Sequence, residues 1–521
     1  MSNASPSEGK GMALLPREIF WLILKRLDPG DVLRCRRVCK SWNEAFRIGA
    51  NLLPMLKKRY PLAREVRQLA SESAETLESP EYDTHISKIF DKVTAKYDYL
   101  SRLTYRTMHK FKLSNDFGIT GQKNWFSVPP WEHHASHLMQ RVDRSFGETF
   151  WTYDDGLLVF PSAEHSCLVL MDMETDRKFM VPFIIVGRII RRVRLQKRVL
   201  IIEWAEYIPY HWLNDSDGVH RHFATSFDVN RKEDGWSVNF RNEWKIMFLG
   251  HPLSERDRFY STHTSTHYAI YIWQPNRSLY TADEDAPIES LSVWDISKPS
   301  DYRPSLDPTG RLRFESGGGE GGGGGEEDLG PTIITRLGFR ELDFYGIRQR
   351  GLPMIQSLSI TDDDQSIEIL EGTCAGRSPQ VIIPDAWESE VWVTTIPIVG
   401  EGPRRRQRAD FALPPYRGNC SLQTKPITFA ICDEPWHSIV CESYDEQSQV
   451  GYCLYFEEQE WPVEKALFLA VASPEYAPEP AIVLPGSMAT EFIGMGKVCG
   501  TEDYIIGQNR DRELIIFRFD R

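Results

Sequence analysis

The sequence predicts a multidomain protein that is α first and all-β after: a three-helix unit, linker helices, and a large β region. Two observations lead there. From Leu15 to about Phe111 apolar residues recur at steps of three and four, the period of helices that bury one face. After about Thr149 they fall instead into short alternating or β-branched runs bounded by Gly, Pro, Asn and Asp, the texture of strands joined by turns. With 521 residues, 41% of them hydrophobic, the chain has apolar surface enough for more than one core.

The first helix carries Leu15, Ile19, Leu22, Ile23 and Leu27 along one face, with Pro16 in its first turn, where a missing N–H costs nothing. Asp28-Pro29-Gly30-Asp31 interrupts the pattern, and Gly30 or Asp31 is the expected cap of a second helix bearing Val32, Leu33 and Cys35. A third holds Val38, Cys39, Trp42, Ala45 and Phe46. Three helices of about ten residues each enclose too little interior for all these side chains, so apolar residues are left over for a partner.

These residues, in this order, resemble the F-box family. The chain supplies Leu15-Pro16, Glu18-Ile19, Ile23-Leu24, Leu27-Asp28-Pro29, Val32-Leu33, Val38-Cys39 and Trp42. The resemblance covers only about 35 of the 521 residues. It implies docking onto the Skp adaptor of an SCF ubiquitin ligase, and through it onto a cullin. Carried over position by position, the implied adaptor contacts are Leu15, Pro16, Ile19, Ile23, Leu27, Val32, Leu33, Val38 and Trp42.

Charge is a partly independent check. Residues 12–64 hold twelve Lys and Arg against four acids, a net +8 that leaves −21 for the rest of a chain of −13. Such a patch suits an acidic protein or nucleic acid. The resemblance selects the protein, since Skp adaptors are acidic. A helix-turn-helix over 15–48 is disfavoured because its third helix carries Val38, Trp42 and Phe46 where base readout needs exposed polar side chains.

The helical period continues through Leu52, Leu56 and Tyr60, then Ile86, Ile89, Phe90, Val93, Tyr97 and Leu100, broken near Leu77-Glu78-Ser79-Pro80, so at least two linker helices are expected. The division read from these patterns is 12–60 for the docking unit, 61–115 for a helical linker and 116–521 for the β region. Within the last, Leu157–Phe160, Cys167–Met171, Val199–Trp204, Ala269–Trp273, Ser290–Ile296, Ile427–Cys432, Val450–Phe456 and Glu513–Phe519 read as strands among roughly two dozen such runs. Ser292-Val293-Trp294-Asp295 looks like the Trp-Asp end of a propeller strand. A β-propeller of six or seven degenerate blades accounts for many short strands without a long exposed edge. In it, the terminal strand near Leu514–Phe519 completes a blade begun earlier. No regular repeat period appears, and two packed β-sandwiches are the alternative.

Two stretches interrupt the strand pattern. Residues 299–330, with the Gly-rich run from Ser316 to Asp328, read as a disordered surface loop, and the run lacks the Gly-Lys-Ser/Thr ending of a phosphate-binding loop. Gly402-Pro403-Arg404-Arg405-Arg406-Gln407-Arg408 reads as a basic, solvated surface loop, the alternatives being a nuclear import signal or a site for an acidic partner. Catalytic signals are weak. His133, His134 and His137 follow Pro129-Pro130 with no supporting third ligand, and His263 and His267 are spaced to share one face of a strand. No nucleophile elbow, His-Glu-x-x-His or dinucleotide fingerprint occurs.

Nine scattered cysteines do not suggest a disulfide framework, and Cys35 and Cys39, one helical turn apart, read as packing. No run of about 18 apolar residues occurs and the N-terminal stretch lacks a signal peptide's apolar core, so a cytoplasmic or nuclear location is expected. The reading is a non-catalytic substrate receptor: an adaptor bound through the N-terminal unit and a target of unidentified class through the β region, with no cofactor, metal, nucleic acid or membrane. The alternatives are an enzyme with its active site in the β region, or a scaffold that binds the adaptor without delivering a substrate.

Overall fold

The computed structural model describes residues 15–70, 80–102, 104–113, 151–165, 167–213, 218–246, 251–253, 257–274, 287–307, 330–350, 353, 355–374, 389–400, 405–408, 437–445, 448–458, 465–473, 482–484, 498–509, 511 and 513–520. His133, His134, His137, the strand expected over Ile427–Cys432 and most of the Gly-rich loop lie outside them.

Among the described residues, six helices open the chain: α1 (Arg17–Leu24), α2 (Pro29–Cys35), α3 (Lys40–Ala45), α4 (Gly49–Arg59), α5 (Arg64–Ala70) and α6 (Pro80–Ser101). The cap of α2 differs from expectation. Asp28 is extended at the N-cap and Pro29 is the first helical residue, because the proline ring already holds the helical φ and needs no N–H there. The Asp28 carboxylate receives Arg59 at 2.7 Å. At the start of α4 the Gly49 N–H donates to the Asp83 carboxylate of α6 at 2.7 Å, and that approach leaves no room for a Cβ at Gly49.

The three short helices do not stand alone. Phe20, Leu24, Val32 and Phe46 share one buried cluster with Leu52 and Leu56 of α4 and Ile86, Phe90 and Val93 of α6. The interior that α1–α3 cannot enclose is supplied largely by the following helices rather than by a partner. Arg36 is buried in this junction, its Nε donating to Phe46 O at 3.0 Å, its guanidinium paired with Asp91 and lying over the Phe90 ring.

The helical texture read as far as Phe111 stops at Ser101, and Thr107–Lys112 is a strand. Its six residues pair antiparallel with Glu513–Arg518, so the terminal strand joins one that lies some 400 residues earlier in the chain, ahead of the β region. These two, with Tyr504–Gln508 and Val498–Gly500, make a four-stranded antiparallel sheet, here sheet 6. Five more four-stranded antiparallel sheets follow one another along the chain: sheet 1 (152–180), sheet 2 (188–245), sheet 3 (258–337), sheet 4 (355–408) and sheet 5 (437–484). A small three-stranded sheet of His211–Trp212, Gly218–His220 and His251–Pro252 projects from sheet 2. One short helix, α7 (Phe339–Tyr345), packs Leu342 and Tyr345 between sheets 3 and 4.

Alternation sends the two faces of a strand into different cores. Val199 and Ile201 pack towards sheet 3, whereas Leu200, Ile202 and Trp204 pack towards sheet 1. In sheet 3, Tyr268, Ile270 and Ile272 meet sheet 2 while Ala269 and Tyr271 meet sheet 4. Sheet 6 divides likewise: Ile505, Ile515 and Phe517 face sheet 5, and Ile506, Leu514 and Ile516 face sheet 1. Strands buried on both faces read as continuous apolar runs, and this arrangement departs from two sandwiches, in which each sheet buries one face. Close approach is tightest at Gly500, where a Cβ would lie 2.3 Å from Tyr504 O.

Two further expectations are corrected. Arg405–Arg408 is not a loop but the outer strand of sheet 4, paired to Trp392–Thr395, with Arg406 over the Trp392 ring and 3.7 Å from Glu371. His263 and His267 do not share a strand, since a turn separates Arg258–His263 from His267–Gln274.

The helices seat on the β region through a buried ionic cluster. The Lys96 ammonium, fully excluded from water, lies 2.9 Å from Glu65, 2.6 Å from Glu502 and 2.9 Å from Asp503. Lys92 adds a bond to Glu65 at 2.9 Å and Arg64 one to Asp503 at 2.7 Å, so three cations face three carboxylates. Tyr97 OH donates to Glu502 at 2.7 Å. Leu62 and Leu100 extend the contact into the core shared by sheets 5 and 6. Burial works against charge on Lys96, yet the three carboxylates hold its pKa well above the ordinary lysine value. Burial likewise opposes ionised Glu65, and Lys96 and Lys92 outweigh it, holding that carboxyl below its usual range. Glu502 is displaced the other way, burial raising it against the pull of Lys96.

Lys96→Met is expected to destabilise the protein by about 3–5 kcal/mol in urea unfolding, because it strands three buried carboxylates without their shared cation. The acid limb follows from Glu65: its folded pKa lies below the unfolded one, so its contribution is complete above pH ~4.5 and is lost as pH falls through the folded value. Glu502 opposes this, protonating more readily when folded. In Glu65→Gln the fall in urea midpoint between about pH 5 and pH 3 should flatten, and an unchanged fall would assign the acid limb elsewhere.

Candidate functional site

Helix α1 is apolar on two sides. Phe20 and Leu24 point into the helical core, at 5% and 0% exposure. Ile19 and Leu22 remain 45% and 60% exposed and, with Leu15 at i−4 from Ile19, form a second stripe. Val38, between α2 and α3, is 63% exposed, and Ile48, before α4, is also exposed. A helix of eight residues that leaves such side chains in water while a complete core lies behind it is built to be covered.

Of the implied contacts, Leu15, Pro16, Ile19 and Val38 are exposed, and Ile23, Leu27, Leu33 and Trp42 are half-buried. Trp42 leans on the core, its ring centroid 5.8 Å from that of Phe46. Val32 is the exception: it has no exposure and belongs to the core beside Leu24 and Phe46, so in this conformation no partner reaches it. Leu22 and Ile48 are exposed yet absent from the implied set. Leu22 was legible as i+3 from Ile19, whereas Ile48 carries no periodic signal.

Basic side chains surround these apolar ones. Lys25, Arg26, Arg34, Arg37, Lys40 and Arg47 are exposed, Arg34 bonding its neighbour Asp31 at 2.6 Å and Lys25 lying over the Trp21 ring. Arg36 is not part of that surface, being committed to Phe46 O and Asp91. Apolar contacts framed by cations suit an acidic protein surface.

The candidate chemical groups read otherwise. Glu65, Glu502 and Asp503 lie close enough to share a metal ion, but the Lys96 ammonium already sits among them. His263 is wholly buried with its ring Nε2 donating to Val199 O at 3.0 Å, and His267 is 2.9 Å from the Thr266 hydroxyl. Both act as fasteners of turns.

No curated protein matches the chain. Among solved structures, it resembles a prolyl endopeptidase at 11% identity and a TM-score of 0.28, covering 83% of this chain and 52% of that one. A prolyl oligopeptidase B from Galerina marginata follows at 7% and 0.30, covering 84% and 53%. A periplasmic gluconolactonase from Pseudomonas aeruginosa stands at 10% and 0.27, covering 68% and 87%. The chain thus spans about half the length of the two peptidases. Similarity at this level identifies neither fold nor chemistry. The match that coincides with the exposed face is to a family model described as F-box-like, over residues 12–49, so the helices that present Leu15, Ile19, Leu22 and Val38 form an F-box-like domain.

Proposed function

We propose that this protein is the substrate-recognition subunit of an SCF-type ubiquitin ligase, binding a Skp adaptor, and through it a cullin, by α1–α3 and a target protein by the β region. The observation that carries the reading is the double-sided α1: its inner face completes the core, and its outer stripe of Leu15, Ile19 and Leu22 is left to a partner. The rim of exposed Lys and Arg suits an acidic adaptor. The F-box-like match at 12–49 supports the same partner.

We read the six four-stranded sheets as blades of a closed β-propeller. In support, sheets 5, 6, 1, 2, 3 and 4 pack successively through shared cores, and Thr107–Lys112 supplies the outer strand of the sheet that holds the chain's last strand. The protein contributes proximity rather than a catalytic group: a target held near a loaded ubiquitin carrier meets it at a high effective concentration. The Lys96 cluster and the Leu62/Leu100 contact would fix the distance between the two bound proteins. On this reading the protein works in the cytoplasm or nucleus.

Ile19→Asp, and separately Leu15→Ala with Pro16→Ala, should weaken co-purification with the Skp adaptor by about tenfold or more. Thermal and urea stability should move by no more than about 0.5 kcal/mol, since these side chains lie outside the core. Phe20→Ala should do the converse to stability, costing about 3–5 kcal/mol. Undiminished adaptor binding by Ile19→Asp would sink the assignment.

A further inference from the structure

Helix α6 is tied to sheet 6 at both of that sheet's flanks. The sheet runs from its outer strand Thr107–Lys112 through Glu513–Arg518 and Tyr504–Gln508 to Val498–Gly500. At one flank Lys96 bonds Glu502 and Asp503, in the turn between Val498–Gly500 and Tyr504–Gln508, and Tyr97 OH donates to Glu502. At the other, only residues 102–106 separate the end of α6 at Ser101 from Thr107. Little of that connection is slack. Thr104 N–H still donates to Tyr99 O of the helix at 3.0 Å, and Arg106 N–H already donates to Arg518 O of the terminal strand at 2.8 Å. The Tyr105 ring lies 4.8 Å from that of Phe517. Between the flanks, Leu100 enters the core that holds Ile505, Ile515 and Phe517.

The outer strand gains little from burial. Thr107, Met108, Lys110 and Lys112 are exposed, and His109 and Phe111 are half-buried. Besides its pairing with Glu513–Arg518, its contacts include the Phe111 ring, 5.4 Å from that of Phe160 in sheet 1 and beneath the Lys178 ammonium, and a bond from Ala163 N–H to Lys112 O at 3.3 Å. Its departure would cost its neighbour far more. Leu514, Ile515, Ile516 and Phe517 are buried, and the backbone edge of their strand would be left unpaired. A strand that buries so little of itself yet completes so buried a neighbour needs a hold from outside, and α6 supplies one.

We propose that α6 is a clasp: the N-terminal helices and strand Thr107–Lys112 leave the β region together, so closure of sheet 6 is coupled to the seating of the helices. An opening that frees the strand alone pulls against a connection bonded at both ends. An opening that frees α6 alone breaks the Lys96 bonds and withdraws Leu100 while Arg106 stays on Arg518. The consequence is a linkage. Because α6 shares its core with Phe20 and Leu24 of α1, a protein that covers the outer stripe of α1 and binds only the folded helices also stabilises the pairing of Thr107–Lys112 with Glu513–Arg518. The coupling is the same whichever protein that is, and so does not depend on the ligase reading.

Hydrogen exchange of the full chain, read by mass spectrometry, tests the clasp. In the unsubstituted chain the protected amides of 93–101 and of 107–112 should exchange faster than those of His267–Gln274 in sheet 3, as parts of a smaller opening. Lys96→Met should quicken both segments by the same factor, about a hundredfold or more. Should that variant fail to fold, Arg64→Gln, which removes the pair with Asp503, should quicken both about threefold. From the opposite side, Phe111→Ala should quicken 93–101 as much as 107–112, although Phe111 lies in the strand and not in the helix. Equal factors in the two segments support the clasp. A change in one segment that the other does not share, in any of the variants, overturns it. So does exchange of His267–Gln274 at the rate of the two segments in the unsubstituted chain, which would make the whole chain one opening unit.

Discussion

Everything that joins the helices to the sheets turns on Lys96. An ammonium without water is tolerated only when its charge and donors are met, and here Glu65, Glu502 and Asp503 meet them from two parts of the chain. Apolar contacts such as Leu62 and Leu100 reward burial but not one orientation, since they are non-directional. Carboxylates within 3 Å of one nitrogen permit a single seating. The cluster therefore sets the angle at which the N-terminal helices stand, and Arg67, donating to Ser448 O at 3.3 Å, makes the same end of sheet 5 part of that seat.

The seat lies at a defined end of the strands. Glu502 and Asp503 lie in the turn between Val498–Gly500 and Tyr504–Gln508 of sheet 6, and Ser448 in the corresponding turn between His437–Asp445 and Val450–Glu458 of sheet 5. Equivalent turns of other sheets are tied together: Lys197 N–H to Asp154 at 2.9 Å joins sheets 2 and 1, Lys197 reaches Asp362 of sheet 4, and Thr266 binds Asp364. Arg518, wholly buried at that end of sheet 6, bonds Met173 O and Asp176 of sheet 1 at 2.6 Å each. Charge and turn chemistry thus gather at one end, while cores between sheets fill the space behind.

Much of this was legible in the sequence because periodicity is a local signal. Ile86, Phe90, Val93, Tyr97 and Leu100 announced α6, and Val199–Trp204 announced a strand, which the fold buries on both sides. Periodicity did not say where an apolar face goes, so α1 looked like one stripe when Phe20 and Leu24 face inwards and Ile19 and Leu22 outwards. Lys96 carried no signal in the sequence, because Glu502 and Asp503, two of its three partners, lie 406 and 407 residues away. Arg405–Arg408 read as a loop because charge outweighs apolarity there, although an outer strand needs only one paired edge. The turn Lys197-Arg198, with φ of +49° and +63°, lacks the Gly or Asn that advertises such a turn, and Asp154 and Asp155 hold it instead.

The seat of the helices and the exposed apolar segments beside sheet 2 stand at opposite ends of the sheets. The N-terminal helices seat on the turns of sheets 5 and 6 that hold Ser448, Glu502 and Asp503, whereas Ile184–Gly187 and Tyr207–Leu213 flank the start of Arg188–Gln196 and the end of Val199–Glu206, at the other end. A strand of nine residues spans about 30 Å at a rise of roughly 3.3 Å per residue, so the depth of the sheets separates the two.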